Sequence, residues 1–142
     1  MSARFNAETR RTAEGAELDE NEIGKRVLGC ALTVHRALGP GLLESVYEAC
    51  LAHELGKAGL DFDRQLSLPV SYDGLTMDMA YRLDLLVLRR VVIEIKAVET
   101  VAPVHKAQVL SYLRLGGYRL GYLLNFNVAL MKDGIFRIAN GL

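Results

Sequence analysis

The sequence predicts an α/β (α+β) domain in which the secondary-structure elements follow the order ααβββαβ. Apolar residues recur at helical spacing early in the chain, alternate with polar residues through its middle, and return to helical spacing before a last apolar strand. The chain has 142 residues, of which 51% are hydrophobic and 24% are charged. This is enough for one domain with its own hydrophobic core.

Two helices are predicted at the start of this domain. The first runs from Glu22 to Leu38, and Gly39-Pro40-Gly41 ends it because proline and glycine stop a helix. The second runs from near Leu42 to about Ala58, with Gly59 as its C-terminal stop. Each helix gathers its apolar residues on one face, so both are expected to pack against the rest of the domain.

Three strands are predicted next. Phe62 to Ser71 alternates between apolar and polar residues, and Tyr72-Asp73-Gly74 supplies turn residues before the strand from Met77 to Leu88. Val91 to Val98 forms the third strand. Only Arg89-Arg90 separates it from the second, and a turn that short joins antiparallel neighbours.

A third helix and a fourth strand complete the predicted domain. Pro103 to about Leu115 has helical periodicity, and Gly116-Gly117 ends it. Arg119 to Asn125 is apolar and predicts the fourth strand, which is followed by a short ending at Phe136 to Ile138.

Residues 1–20 are expected to form a flexible N-terminal arm, and residues 21–142 a single domain. The arm carries charges of both signs with few large apolar groups, and it lacks the continuous apolar stretch of a signal peptide. No segment of the chain is apolar over the length that spans a bilayer. We therefore expect a cytoplasmic protein without a membrane partner.

Charge and cysteine content narrow the function classes further. Seventeen Lys and Arg residues balance seventeen Asp and Glu residues, so the protein is not strongly basic. Any nucleic acid would therefore have to bind through a local basic patch. Cys30 and Cys50 lie at apolar helix positions outside any closely spaced metal-ligand pattern. Both are expected to be buried free thiols in a reducing compartment.

Charged residues interrupt two strands that otherwise read as buried. Side chains alternate along a strand, so Arg82 and Asp84 are expected to share one face, and Glu94 and Lys96 one face of the next strand. Burying unpaired charge is costly, so either a metal ion or a mutual ion network is needed there. The spacing leaves a metal site and a salt-bridge network both open.

A metal site here would support phosphodiester hydrolysis. Mg²⁺ or Mn²⁺ prefers oxygen ligands, which Asp84, Glu94 and the backbone carbonyl of Ile95 could supply. Lys96 would then orient a water molecule for in-line attack on the phosphorus.

Other polar residues could flank this site. His105, Gln108 and Tyr112 share one face of the third helix, where Gln and Tyr could bind a phosphate or the attacking water. The alternative is an ordinary amphipathic helix, with His105 as a surface or capping residue. Glu44, in the first turn of the second helix, could add a carboxylate or only complement the helix dipole.

Arg82 and Asn125 could each have either a binding role or a structural role. Arg82 could clamp a phosphate or neutralise a nearby carboxylate. Asn125, which opens the segment Asn125-Phe126-Asn127, could line the cleft or end a strand in a turn.

The order of these features resembles the PD-(D/E)xK nuclease superfamily. Four segments are also similar to the GxxExxR proteins, a bacterial branch of it: Leu38 to Tyr47, Tyr81 to Asp84, Ile93 to Ala97, and Asn125 to Asn127. The resemblance covers about residues 21 to 138. Two positions depart from the pattern, since Tyr47 stands where the family name has Arg and Leu83 stands where the superfamily has Pro.

The resemblance implies a restriction-endonuclease-like core, with a mixed four-stranded sheet flanked by helices and a Mg²⁺ or Mn²⁺ cofactor. It implies metal ligands at Asp84 and Glu94, and it makes Glu44 the acidic residue of the first helix motif. Glu44 and the Ile95 carbonyl are the further candidate ligands. Lys96 would be the catalytic lysine, and Gln108 with Tyr112 would form an exonuclease-like helix motif.

Three functions are compatible with the sequence. The first is a metal-dependent nuclease acting on DNA or RNA. The second is a catalytically silent nuclease-fold module for binding or assembly with a partner, and the third is a hydrolase of a small phosphoester. Because the chain is short, specificity would come from a homodimer or from a protein partner.

Overall fold

The computed structural model describes residues 18–142 and contains both predicted N-terminal helices. Helix α1 spans Glu20–Leu38, and helix α2 spans Glu44–Lys57. The Asp19 side chain caps α1 by accepting a hydrogen bond from the Glu22 N–H at 2.8 Å. Most of the predicted arm lies outside the described residues, whereas Asp19 and Glu20 already belong to the cap and first turn of α1.

Five strands form one mixed sheet in the order β1-β2-β3-β4-β5. Their bounds are Phe62–Tyr72 for β1, Leu75–Val87 for β2, Val91–Lys96 for β3, Leu120–Asn125 for β4 and Ile135–Ala139 for β5. Strands β3 and β4 are parallel, and the other neighbours are antiparallel. The antiparallel β2–β3 pair predicted from the Arg89-Arg90 turn is therefore confirmed.

The predicted number of four strands is wrong, because the described chain forms a fifth. The short ending predicted at Phe136 to Ile138 belongs to β5, which pairs with β4 from Leu124 opposite Ile135 to Leu120 opposite Ala139. A short 3-10 turn, Met131–Gly134, leads into it. The strand has only five residues and is partly exposed, so pairing with β4 defines it more than its own pattern does.

Helices cover both faces of the sheet. Side chains alternate along β3, so that Ile93 packs with α1 and α2 while Val92 packs with the third helix, α3 (Pro103–Gly116). Helix α3 connects the parallel strands β3 and β4. Gly121 on β4 allows its close approach, because a Cβ there would lie 3.1 Å from side-chain atoms of Val109 and Leu113.

Both cysteines are free thiols, Cys30 buried and Cys50 partly exposed. Within residues 18–142, no helix has both the length and the apolar character that a membrane span requires.

Candidate active site

Asp84 and Glu94 lie side by side where strands β2 and β3 separate. The paired residues of the two strands end at Leu85 opposite Ile93, so Asp84 and Glu94 are next in register. Beyond this point a side chain replaces the backbone ladder, since the Asp84 Oδ2 atom accepts a hydrogen bond from the Ile95 N–H at 2.8 Å. The backbone of β3 therefore fixes the Asp84 carboxylate next to Glu94.

A polar network holds the other oxygen of Asp84. The Gln65 Nε2 atom donates to Asp84 Oδ1 at 3.3 Å and to Glu48 Oε1 at 2.6 Å. Two guanidinium N–H groups of Arg64 donate to Glu48 Oε2, each at 3.1 Å. This network links α2 through β1 to Asp84, and so it restricts the rotation of the Asp84 carboxylate.

The sequence prediction missed Glu48 and Gln65. Glu48 is only 7% exposed and follows Glu44 by one helical turn, and that spacing was the available signal. Gln65 has a φ of +50°, which is unusual inside a strand, and no sequence pattern marks it.

Glu94 is a buried carboxyl group with an unsatisfied oxygen. The residue is 9% exposed, and its Oε1 atom has no hydrogen-bond partner within residues 18–142. Its Oε2 atom lies 3.8 Å from the Lys96 ammonium. Burial and the charge of Asp84 raise the pKa of Glu94 to about 8, with a smaller contribution from Glu44, although Lys96 acts in the opposite direction.

This carboxylate pair fits a hard divalent cation. A cation would satisfy the free Glu94 oxygen and favour the ionised pair that burial otherwise opposes. Residues 18–142 contain no group of three or more His, Cys, Asp or Glu side chains arranged to hold a metal. Two carboxylates completed by water, backbone and substrate oxygens are a common arrangement for Mg²⁺.

The loop before α2 is fixed by a buried tyrosine. Tyr47 is fully buried, and its hydroxyl donates to the Gly39 carbonyl at 2.6 Å and accepts from the Leu42 N–H at 3.1 Å. Gly41 has a φ of +99°, which favours glycine over other residues. The loop places the exposed Glu44 at the first position of α2, where its charge acts on Glu94.

Two stacked tyrosines form the α3 side of the site. The rings of Tyr81 and Tyr112 lie 4.7 Å apart and nearly parallel. Burial and the nearby charges of Glu94 and Asp84 raise the pKa of Tyr112. Gln108 is exposed one helical turn earlier. The sequence prediction did not include Tyr81, because only the fold brings it to α3.

The remaining predicted residues occupy different positions. Arg82 is exposed. It was expected to share a face with Asp84, because side chains alternate along a strand. The alternation is interrupted here, since Leu83 and Leu85 are two residues apart and yet pack in opposite cores. The His105 Nδ1 atom accepts a hydrogen bond from the Ala102 N–H at the start of α3.

Asn125 ties together the ends of two strands. Its Nδ2 atom donates to the Val98 carbonyl at 2.9 Å, and its Oδ1 atom accepts from the Val98 N–H at 3.0 Å. Asn125 lies next to Lys96 in the parallel register. It therefore fixes the segment that leaves β3 beside Lys96.

Comparisons with known proteins identify the family of this chain. A model of the PD-(D/E)XK nuclease superfamily matches residues 21–138. The chain is also similar to a solved structure titled "Crystal structure of SSO0001", with 18% identity and a TM-score of 0.47 over 100% of this chain and 79% of that chain. No curated protein matches the chain.

Proposed function

Since the chain belongs to the PD-(D/E)XK nuclease superfamily, we propose that it hydrolyses phosphodiester bonds of DNA or RNA with Mg²⁺ or Mn²⁺ at the Asp84–Glu94 pair. One observation carries this proposal. The buried Glu94 carboxyl group has an unsatisfied oxygen beside Asp84, with the Lys96 ammonium 3.8 Å from its other oxygen. Burying an unsatisfied carboxyl group in an apolar sheet costs stability, and such perturbed ionisable groups cluster at functional sites.

Asp84 and Glu94 would hold the metal together with the Ile95 backbone carbonyl. Glu44 would contribute through its charge, because no third carboxylate of residues 18–142 joins the pair in a metal-ligating group. Bound there, the cation would offset negative charge on the phosphate and lower the pKa of a coordinated water. The network from Glu48 through Gln65 would keep the Asp84 oxygens oriented.

Lys96 would act directly on the reacting groups. Its ammonium lies on the same face of β3 as Glu94, where it can orient the attacking water and stabilise charge that develops on the phosphate. Tyr112 keeps its proton near the carboxylates and can donate a hydrogen bond, as can Gln108. The exposed Arg82 would contact the substrate. His105 and Asn125, which hydrogen-bond to the backbone before α3 and after β3, would line the substrate cleft.

Within the superfamily we assign the chain to the bacterial GxxExxR proteins, on the segment that begins at Gly41. Tyr47, which stands in place of the Arg of that name, has a structural role because it anchors the loop that carries Glu44. The free cysteines fit a reducing cytoplasm. A homodimer or a protein partner would supply substrate specificity.

The second candidate function is a catalytically silent module that binds or assembles with a partner. The observation in its favour is the net charge of zero, which provides no general attraction for nucleic acid. In this case the polar network of Asp84 and Glu94 would have a structural role.

A cleavage assay distinguishes the two functions. Labelled single-stranded DNA, double-stranded DNA and RNA are incubated with the wild-type chain and Mg²⁺ or Mn²⁺, with EDTA as the metal-free condition. Asp84→Asn is purified in parallel, and Asp133→Asn, which changes an exposed carboxylate on the 3-10 turn, is the matched control.

We expect metal-dependent cleavage by the wild type and by Asp133→Asn, and at least a roughly hundredfold loss in Asp84→Asn. Absence of metal-dependent cleavage by all three proteins, the wild type included, would support the silent module instead. Equal cleavage by Asp84→Asn would assign the activity to a contaminant or to another site.

A further inference from the structure

The hairpin formed by β1 and β2 extends past the region that α3 covers. Along β1, Leu66 and Leu68 pack with the core under α3, as do Leu83 and Tyr81, their partners on β2. All residues from Ser71 to Ala80 are exposed. The sheet therefore continues beyond its helical cover.

The exposed end of this hairpin has an apolar face. Val70 lies opposite Met77, and Tyr72 lies opposite Leu75. Opposite residues share a face, and so do residues two apart on one strand. Tyr72 is 72% exposed, Leu75 59% and Met77 39%. We call Val70, Tyr72, Leu75 and Met77 the hairpin patch. An irregularity in the strand pairing between Leu68 and Val70 separates it from the covered residues Leu66 and Leu68.

The charges of the hairpin indicate which class of partner fits the patch. Between Leu66 and Ala80 the charged residues are Asp73 and Asp78, and there is no Lys or Arg. Nucleic acid and anionic lipid surfaces both require cationic contacts, so neither suits this segment. The opposite face is polar, with the Ser71 and Thr76 hydroxyls 3.4 Å apart. The patch therefore fits an apolar protein surface.

We propose that this surface is the hairpin patch of a second copy of the chain. In a two-fold symmetric dimer each copy contributes the same surface, so the four side chains of the patch can pack against their equivalents. Apolar faces of two sheets pack in this way in β-sandwiches. Asp73 lies in the turn, and Asp78 lies in the irregular segment between Met77 and Tyr81, so neither carboxylate is among the paired residues of the patch.

The size of the patch sets the strength of the contact. From the exposed fractions, the patch offers on the order of 400 Å² per copy, so that two copies bury on the order of 800 Å² in total. This is less than a standard stable interface buries, so we expect a weak, reversible dimer. Self-association through the patch does not require nuclease activity.

Sedimentation velocity of the full chain tests this interface. The wild type is compared with Tyr72→Ser/Leu75→Ser from about 1 to 200 µM, a range in which a weak dimer is populated. The control is Ser71→Ala/Thr76→Ala, which changes the opposite face of the same hairpin. All four positions are exposed, and circular dichroism confirms folding of each protein.

We expect a monomer–dimer equilibrium in the wild type and the control. In the patch variant the dissociation constant should increase by at least about tenfold. A wild type that remains monomeric throughout this range would overturn the proposal. So would a patch variant that dimerises as well as the control does.

Disulfide trapping provides a second test that does not weaken the patch. Under mild oxidation Leu75→Cys should form a covalent dimer, whereas Thr76→Cys should stay at the background set by the native cysteines. Equal dimer yields from the two positions would contradict a contact through the patch.

Discussion

Replacing Glu94 by Gln should remove a pH dependence from the stability of the metal-free protein. The ordinary pKa of this carboxyl group is 4.5, and burial with the nearby Asp84 charge raises it to about 8 in the folded chain. Between these values the folded state keeps a proton that the unfolded state has lost. The protonated Glu94 carboxyl group therefore stabilises the folded state fully below pH 4.5, and this stabilisation is lost as the pH rises to about 8.

The size of the effect follows from proton linkage. Because the folded state binds one more proton than the unfolded state, each unit of increase in pH lowers the free energy of unfolding by up to about 1.4 kcal/mol. Gln has nearly the same size and does not ionise, so the Glu94→Gln variant lacks this slope. At pH 8 it should be more stable than the wild type by on the order of 4 kcal/mol.

Urea unfolding in EDTA at several pH values between 5 and 9 measures the difference. Glu44→Gln is the control, because Glu44 is exposed and contributes least to the shift of the Glu94 pKa. Its stability should follow the wild-type pH profile. Parallel profiles of stability against pH for Glu94→Gln and the wild type would contradict the raised pKa of the buried Glu94 carboxyl group.

Three further substitutions test the surroundings of the carboxylate pair. Tyr81→Leu removes the ring stacked on Tyr112 and should lower kcat by about tenfold with little change in KM, whereas Tyr81→Phe should keep wild-type kinetics. Gln65→Ala releases one oxygen of Asp84 and should slow cleavage by about tenfold; an unchanged rate would show that the network is dispensable. Tyr47→Phe loses two backbone hydrogen bonds and should lower the free energy of unfolding in urea by about 1–3 kcal/mol, and an unchanged urea midpoint would contradict its anchoring role.

The helices and central strands could be predicted because their signals are local. Helix α1 ends at Leu38 as predicted, where Gly39-Pro40-Gly41 follows, and α3 begins at the predicted Pro103. The β2–β3 pairing followed from a turn too short for any other connection. Asp84 and Glu94 were conspicuous because charge interrupts an apolar run, and the structure places them side by side.

Features that depend on distant contacts could not be predicted. Strand β5 is short and becomes a strand by pairing with β4. Glu48 reads as another polar residue of α2 until β1 brings Gln65 to it. The interrupted alternation near Arg82 also arises from tertiary packing, because Leu83 and Leu85 enter different cores.

Cleavage of labelled nucleic acid by wild-type protein and Lys96→Ala, purified in parallel with Mn²⁺, tests the central claim most directly. The control is Lys57→Ala, which removes an exposed ammonium paired with Glu54 on α2. We expect cleavage by the wild type and Lys57→Ala, and loss of cleavage in a folded Lys96→Ala. Cleavage that persists unchanged in Lys96→Ala would contradict the assignment of the reaction to the Asp84–Glu94–Lys96 site.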